Sequence, residues 1–204
     1  DIPHHVARAQ GYYEEVGLDG KFTKFGAGPP MLAALTTNSI NNMMVGGPPT
    51  IISMYQIPDA RIIGTCMMNI TAEAIVVRKD SGIKTLQDLK GRSIATYRGS
   101  SGHILALKAM DIAGLEAETD VKILEVGLES LIPAFVKGEV EAAAFWEPWM
   151  SKLIAADGEV LLYVGDAGLF DFGCWVANKK WLDANPEGAQ RYFEAIDMAQ
   201  KFMR

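Results

Sequence analysis

Apolar positions in this chain fall into short blocks whose spacing switches repeatedly between that of a helix and that of a strand. Val6, Ala9, Tyr13 and Val16 are spaced as one helical face, predicting a first helix over 3–16 that Gly17 stops. Residues 21–25 read as a short strand, followed by Gly26-Ala27-Gly28-Pro29-Pro30 and an apolar helix over about 31–37. The order then recurs: strand 40–45, the turn Gly46-Gly47-Pro48-Pro49, and helix 50–55. Proline suits a first helical turn, where a backbone N–H would lack a partner, and glycine lets the chain turn sharply out of the strand.

Two strands over 61–68 and 73–77 come next with no helix between them. Asp80-Ser81-Gly82 breaks the second, and a short amphipathic helix carrying Leu86 and Leu89 ends at Gly91. Strand 93–97 runs into Arg98-Gly99-Ser100-Ser101-Gly102-His103, and a long helix over 104–113 closes at Gly114. Strand 121–126, a helix containing 132–136, strand 142–146 and a helix opened by Pro148 follow. Strands 159–164 and 172–177 precede a last helix, capped by Asn185-Pro186, with Ala189, Tyr192, Phe193, Ile196 and Met203 inward. Strands alternating with helices predict an α/β fold with mostly parallel sheets. The helix-free passage near 72–80 predicts two lobes, 1–76 and 77–176, with 177–204 returning to the first across a two-strand hinge.

Composition narrows the function classes. The chain has 204 residues, 49% apolar and 22% charged, with a net charge of −6. It is long enough for a genuine core and too apolar for disorder. An acidic chain with no basic stripe is not built to neutralise phosphates, so no nucleic-acid partner is expected. No apolar run approaches the ~18 residues of a membrane span, and no fixed-period repeat marks a solenoid. Cys66 and Cys174 are too few for a disulfide scaffold and are not spaced as metal ligands. They read as buried thiols, with a single bridge as the alternative. No metal or cofactor is called for, and Met43-Met44 and Met67-Met68 read as core filling.

In a parallel sheet the helices that follow strands begin at one rim, and ligands bind there. Four such starts are distinctive: Gly28-Pro29, Gly47-Pro48, Gly99-Ser100-Ser101 and Trp146-Glu147-Pro148. Free N–H groups and the positive end of each helix dipole predict a small-anion site built from backbone and hydroxyls, not from lysines. Each residue also has a plainer reading. Ser100 serves equally as an N-cap and Gly99 as a turn; Trp146 and Trp149 fit core packing; Arg98 fits an exposed surface. Glu147 suits an anion site badly and reads as a helix cap or as a partner for a ligand amine. His4, His5 and His103 each read as rim donors or as structural histidines. No Ser-His-Asp or Cys-His set assembles, and the acidic residues look scattered, so no catalytic residue is assigned.

In order, the chain carries Ala7-Arg8-Ala9-Gln10-Gly11-Tyr12-Tyr13, Gly46-Gly47-Pro48-Pro49, Val76-Val77-Arg78-Lys79-Asp80-Ser81-Gly82-Ile83 and Leu86-Gln87-Asp88-Leu89-Lys90-Gly91, then Gly99-Ser100-Ser101-Gly102-His103 and Trp146-Glu147-Pro148. In this order they resemble the solute-binding proteins of ABC importers for aliphatic sulfonates, taurine and nitrate, within a superfamily that includes thiamine-pyrimidine precursor binders. The resemblance implies a two-lobed periplasmic-binding-protein fold of type II, working as a periplasmic or lipid-anchored extracellular receptor. Such a receptor closes on a small anionic solute and delivers it, as a monomer, to a permease and its ATPase. The cleft-lining turns of the family fall here on His4, His5, Gly46, Gly47, Pro48, Pro49, Gly99, Ser100, Ser101, Trp146, Glu147 and Pro148. The Gly-Ser-Ser-x-His form, with His103, favours the sulfonate branch. The family's first strand would precede Asp1 and further helices would follow Arg204, so the expectation is a piece of a longer chain. A synthase-like enzyme of the same fold is the alternative, but it would need a dense cysteine motif and a cofactor lysine; a sensor domain would need an attached signalling segment.

Overall fold

The computed structural model describes residues 2–204; Asp1 lies outside the described residues. Two β-sheets, each covered by helices on both faces, divide the chain. The smaller has three strands in the order β1 (Asn42–Gly46), β8 (Asp171–Asn178), β2 (Ala60–Asn69). The larger has five, in the order β5 (Lys122–Glu125), β4 (Ser93–Thr96), β6 (Ala142–Trp146), β3 (Glu73–Arg78), β7 (Gly158–Tyr163). The α/β class and the two-lobed plan match the expectation, whereas the mostly parallel character does not. β8 runs antiparallel to both its neighbours, and β3 runs antiparallel to β6 and β7. Among the named strands, parallel pairing is confined to β5, β4 and β6. The cause is connectivity: the strands that carry the chain from one sheet to the other enter each new sheet against its direction.

β3 lies wholly in the five-stranded sheet and β8 wholly in the three-stranded one, so the chain passes between sheets within 70–72 and again within 164–170. These passages lie a few residues ahead of the divisions read from the sequence at 76 and 176. β3 and β6 read as near-continuous apolar runs because both faces are covered, as burial from Ala74 to Val77 and from Ala142 to Phe145 requires. One face of the large sheet packs Ile75, Ile94 and Ala144 against α5 (Ser101–Ala113), through Leu105 and Ala109. The other packs Val76, Ala95 and Phe145 against α6 (Leu128–Val136) and α7 (Trp149–Ala155). The small sheet buries Met43, Val45 and Val176 under α3 (Gly28–Thr36) and α4 (Gly47–Gln56).

Several local expectations change. The first helix is two, α1 (Ile2–Ala9) and α2 (Tyr12–Glu15), because Gly11 turns the chain in the left-handed region at φ 74°. Residues 21–25 form no strand; Phe22 instead packs its ring on His4 and Tyr13. A further helix, α8 (Lys179–Ala184), precedes the last one, and Asn185 terminates it, so Asn185 does not cap α9 (Gly188–Phe202). The inner face of α9 is Tyr192, Ala195, Ile196 and Ala199, with Met203 exposed. Met67 and Met68 are exposed too, near the end of β2. Cys66 and Cys174 are free thiols, the first half-buried and the second buried. Among the described residues no helix is long and apolar enough to cross a membrane.

Candidate functional site

Between the two sheets lies a cavity of about 300 Å³. From the small-sheet side it is lined by Gly26 to Gly28 and Met31 at the start of α3, and by Gly46 and Pro49 at the start of α4. From the large-sheet side come Ser100 and Ser101 at the start of α5, with Trp146 and Glu147 at the end of β6. Asp171, Gly173 and Cys66 line it from β8 and β2. No lysine or arginine is among its lining residues. Three helices of nine, ten and thirteen residues thus begin at one cavity, and each contributes roughly half a unit of positive charge at that end.

The three starts are not equivalent. α3 reads Gly-Pro-Pro over 28–30 and α4 reads Gly-Pro-Pro over 47–49. Their prolines remove two of the N–H groups that a first turn normally leaves free. The dipole survives but the donors are fewer than four distinctive helix starts suggested. α5 carries the donors and hydroxyls. The Ser100 hydroxyl is committed inside the protein: it donates to the Tyr97 carbonyl at 2.6 Å and accepts from the His103 N–H at 3.4 Å. Ser100 is therefore the N-cap that shapes the turn, and Ser101 beside it lines the cavity. Gly102 seats this helix on the sheet, since a methyl group there would fall on the Ala144 carbonyl oxygen of β6.

Of the residues expected at the site, Gly46, Ser100, Ser101, Trp146 and Glu147 line the cavity. Gly47, Pro48 and Gly99 stand in the same turns behind that lining, and the Gly99 N–H donates to Nδ1 of His103 at 3.3 Å. Burial and then the Arg98 charge lower the His103 pKa, favouring the neutral ring that this contact needs. His4 belongs to a different cluster. Its Nδ1 meets the Tyr13 hydroxyl at 2.8 Å and the Tyr192 hydroxyl at 3.4 Å, and the Trp175 indole N–H donates to Tyr192 at 2.9 Å. Burial, with His5 and Arg8 nearby, lowers the His4 pKa to about 4. His4 lines a second cavity of about 520 Å³, which adjoins the first through Phe25, Met31 and Met44; His5 is exposed on α1.

Glu147 takes its plainer role. Its carboxylate accepts from the Ser151 hydroxyl at 2.7 Å and the Ser151 N–H at 3.2 Å, tying down the first turn of α7. Arg98 is held by Glu118, and it donates to the Ile123 carbonyl at 3.1 Å, away from the cavity.

Two acidic residues that the sequence left among the scattered ones are central instead. Glu73, at the head of β3, is 1% exposed, and Asp171, at the head of β8, is 5% exposed. Both oxygens of Glu73 and Oδ1 of Asp171 are buried without a hydrogen-bond partner among the described residues. Burial first, and Asp171 second, push Glu73 up to about 8. Burial pushes Asp171 up to about 6 against the pull of Asn69 and the Phe172 backbone. A signal was present in the sequence: a lone carboxylate stands at the head of each of two buried apolar strands.

A profile of the family described as NMT1/THI5 like matches residues 2–204. A Bacillus subtilis (strain 168) protein named for binding aliphatic sulfonates is 30% identical over 97% of this chain, which spans 60% of that protein's length. An Escherichia coli (strain K12) protein named for the same binding is 36% identical over 71% of this chain and 45% of its own. Among solved structures, the alkanesulfonate-binding protein SsuA of Xanthomonas axonopodis pv. citri, bound to MOPS, superposes with a TM-score of 0.86 at 27% identity. That match covers 97% of this chain and 69% of the other.

Proposed function

This chain belongs to the NMT1/THI5-like family, and from that premise we propose that it is the solute-binding part of an ABC importer receptor that captures a small organic anion, an aliphatic sulfonate, in the cavity between its sheets. The observation that carries this reading is the meeting of α3, α4 and α5 by their N-termini on one cavity lined by no basic side chain. Positive helix ends and N–H groups hold a compact anion without bringing a lysine's hydration shell into the cleft. The Ser101 hydroxyl adds one donor from the large sheet, and Trp146, Met31 and Met44 supply an apolar wall for the carbon chain. The names of the relatives support a sulfonate as the class of solute.

The receptor binds and releases its solute unchanged. Its partners are a membrane permease and the ATPase that drives it, and its place is the periplasm or, lipid-anchored, the outer face of the membrane. The test is a thermal-shift screen over alkanesulfonates, nitrate and small carboxylates. A sulfonate present at a hundred times its Kd adds about 2.7 kcal/mol of stability. A screen in which carboxylates stabilise the protein and every sulfonate leaves it unmoved overturns the assignment.

A further inference from the structure

Anion sites avoid carboxylates, because a fixed negative charge repels the guest. This cavity has a carboxyl in its wall all the same: Asp171 lines it and is 5% exposed. Glu73, 1% exposed, lies near enough for the Asp171 charge to act on it. No lysine or arginine answers either acid, since the ion pairs among the described residues all join other side chains. Three of their four carboxyl oxygens lie buried with no hydrogen-bond partner among the described residues. A buried carboxylate in that state is costly, and a second negative charge brought beside it raises the cost. The acid form lowers both costs: it is neutral, and it turns an acceptor into an O–H donor.

Resting on the sulfonate reading above, we infer that the anion binds together with a proton: Asp171, backed by Glu73, meets the bound sulfonate as a neutral carboxylic acid whose O–H donates to a sulfonate oxygen. The proton comes from solvent, so the cavity gains an anion and a proton and its net charge does not change. The empty protein is set for this exchange. Burial pushes Asp171 up to about 6, and burial with Asp171 nearby pushes Glu73 up to about 8. At pH 7 Glu73 therefore carries its proton and Asp171 has largely lost its own, which the incoming anion restores. No neighbouring group takes that part. Glu147, in the lining, is tied to Ser151, and Lys108, further along α5, pairs with Asp111. His103 accepts from the Gly99 N–H, and burial and the Arg98 charge keep its ring neutral. Burial raises the Cys66 thiol, to about 11, and the Cys174 thiol, so neither is charged at pH 7. Tyr163 of β7 and Lys152 of α7 belong to the opposite face of the large sheet.

Propane-1-sulfonate, which brings no titrating group of its own, is the probe. One proton taken up per anion changes affinity by at most about tenfold per pH unit. Calorimetric titration of the unaltered protein in Bis-tris and Tris, buffers free of sulfonate, is therefore expected to show Kd rising roughly tenfold or more from pH 6 to pH 8. A pH-stat at pH 7 is expected to read an uptake approaching one proton per sulfonate bound. Asp171→Asn puts a permanently neutral donor in place of the acid and is expected to flatten both readings. The readings on the unaltered protein stand even if that variant fails to fold. A level Kd with no proton uptake overturns the inference and leaves the sulfonate reading standing. A slope that persists in Asp171→Asn overturns the part given to Asp171. No binding at any pH overturns both.

Discussion

The two walls of the cavity approach the same task with different chemistry. The wall from the three-stranded sheet offers two Gly-Pro-Pro helix starts, stiff and poor in donors, backed by Met31 and Met44. The wall from the five-stranded sheet offers a serine pair on a thirteen-residue helix, with Trp146 beside it. Proline fixes backbone shape at the cost of N–H groups, whereas serine adds donors and needs its turn held by other contacts. One wall thus contributes field and shape, and the other contributes specific hydrogen bonds. The difference predicts where substitutions act: affinity answers to the serine wall, which also needs its own contacts to stay folded, whereas changes in the proline wall act on stability alone and weakly.

The largest effect is expected at the seat of the serine wall. Gly102→Ala drives a methyl group onto the Ala144 backbone, where no flexible side chain can give way. Overpacking against backbone costs roughly 3 kcal/mol at the upper end of such substitutions, read as a lowered denaturation midpoint and a loss of ligand-induced stabilisation. If Gly102→Ala matches the parent in both, α5 does not depend on this close approach.

Next in size is a pH effect on stability. Glu73 holds its proton in the fold up to about pH 8, but an ordinary glutamate loses it near 4.5. Between those values the unfolded chain binds fewer protons, so stability falls as pH rises, by at most about 1.4 kcal/mol per pH unit for one group. Asp171 adds the same sign between 3.8 and about 6. His4 acts oppositely between about 4 and 6.5, since its lowered pKa makes the fold lose stability as pH falls through that range. The clean window is pH 6.5 to 8, where urea denaturation should show a loss of about 2 kcal/mol that Glu73→Gln abolishes. A parent protein whose stability is flat across that window contradicts a protonated buried Glu73.

The paired serines separate binding from folding. Ser101→Ala removes a hydroxyl donor from the cavity and is expected to weaken sulfonate binding by roughly 1.5 kcal/mol, about tenfold, with the midpoint unchanged. Ser100→Ala removes the N-cap and is expected to cost about 1 kcal/mol of stability. Reversed outcomes would exchange the roles given to the two residues. The smallest effect belongs to the proline wall: Pro30→Ala returns an N–H to α3 but frees the unfolded chain, lowering stability by about 0.5 kcal/mol.

Much of the fold is legible in the residues because local rules agree with the global plan. The turn at Gly46-Gly47-Pro48-Pro49 and the stop at Gly114 follow from backbone sterics alone, and both sit where the pattern puts them. Strand direction is less legible. Apolar runs such as Glu73–Arg78 look alike whether their neighbours run with or against them, so the reversed β3 and β8 escaped the periodicity. The site divides in the same way. Ser101 and Trp146 stand on turns that the pattern marks, whereas Glu73 and Asp171 converge only when β3 and β8 are brought to the same end of the cleft. His4 stands apart from that cavity because an aromatic network built by Tyr13, Tyr192 and Trp175 from distant segments engages its ring.

The order of strands in the smaller sheet has a bearing on how the chain assembles. β1 and β2 do not pair with one another; each waits for β8, which arrives after the whole larger sheet has been made. On a ribosome the inner unit, from β3 to β7, is complete and can close its own core while the outer strands still have exposed edges. Long-range pairing of this kind is slow and leaves those edges open to other chains. Emergence of a single strand is thus the event that turns two loose flanks into a sheet, and it brings Asp171 into the cleft at the same moment.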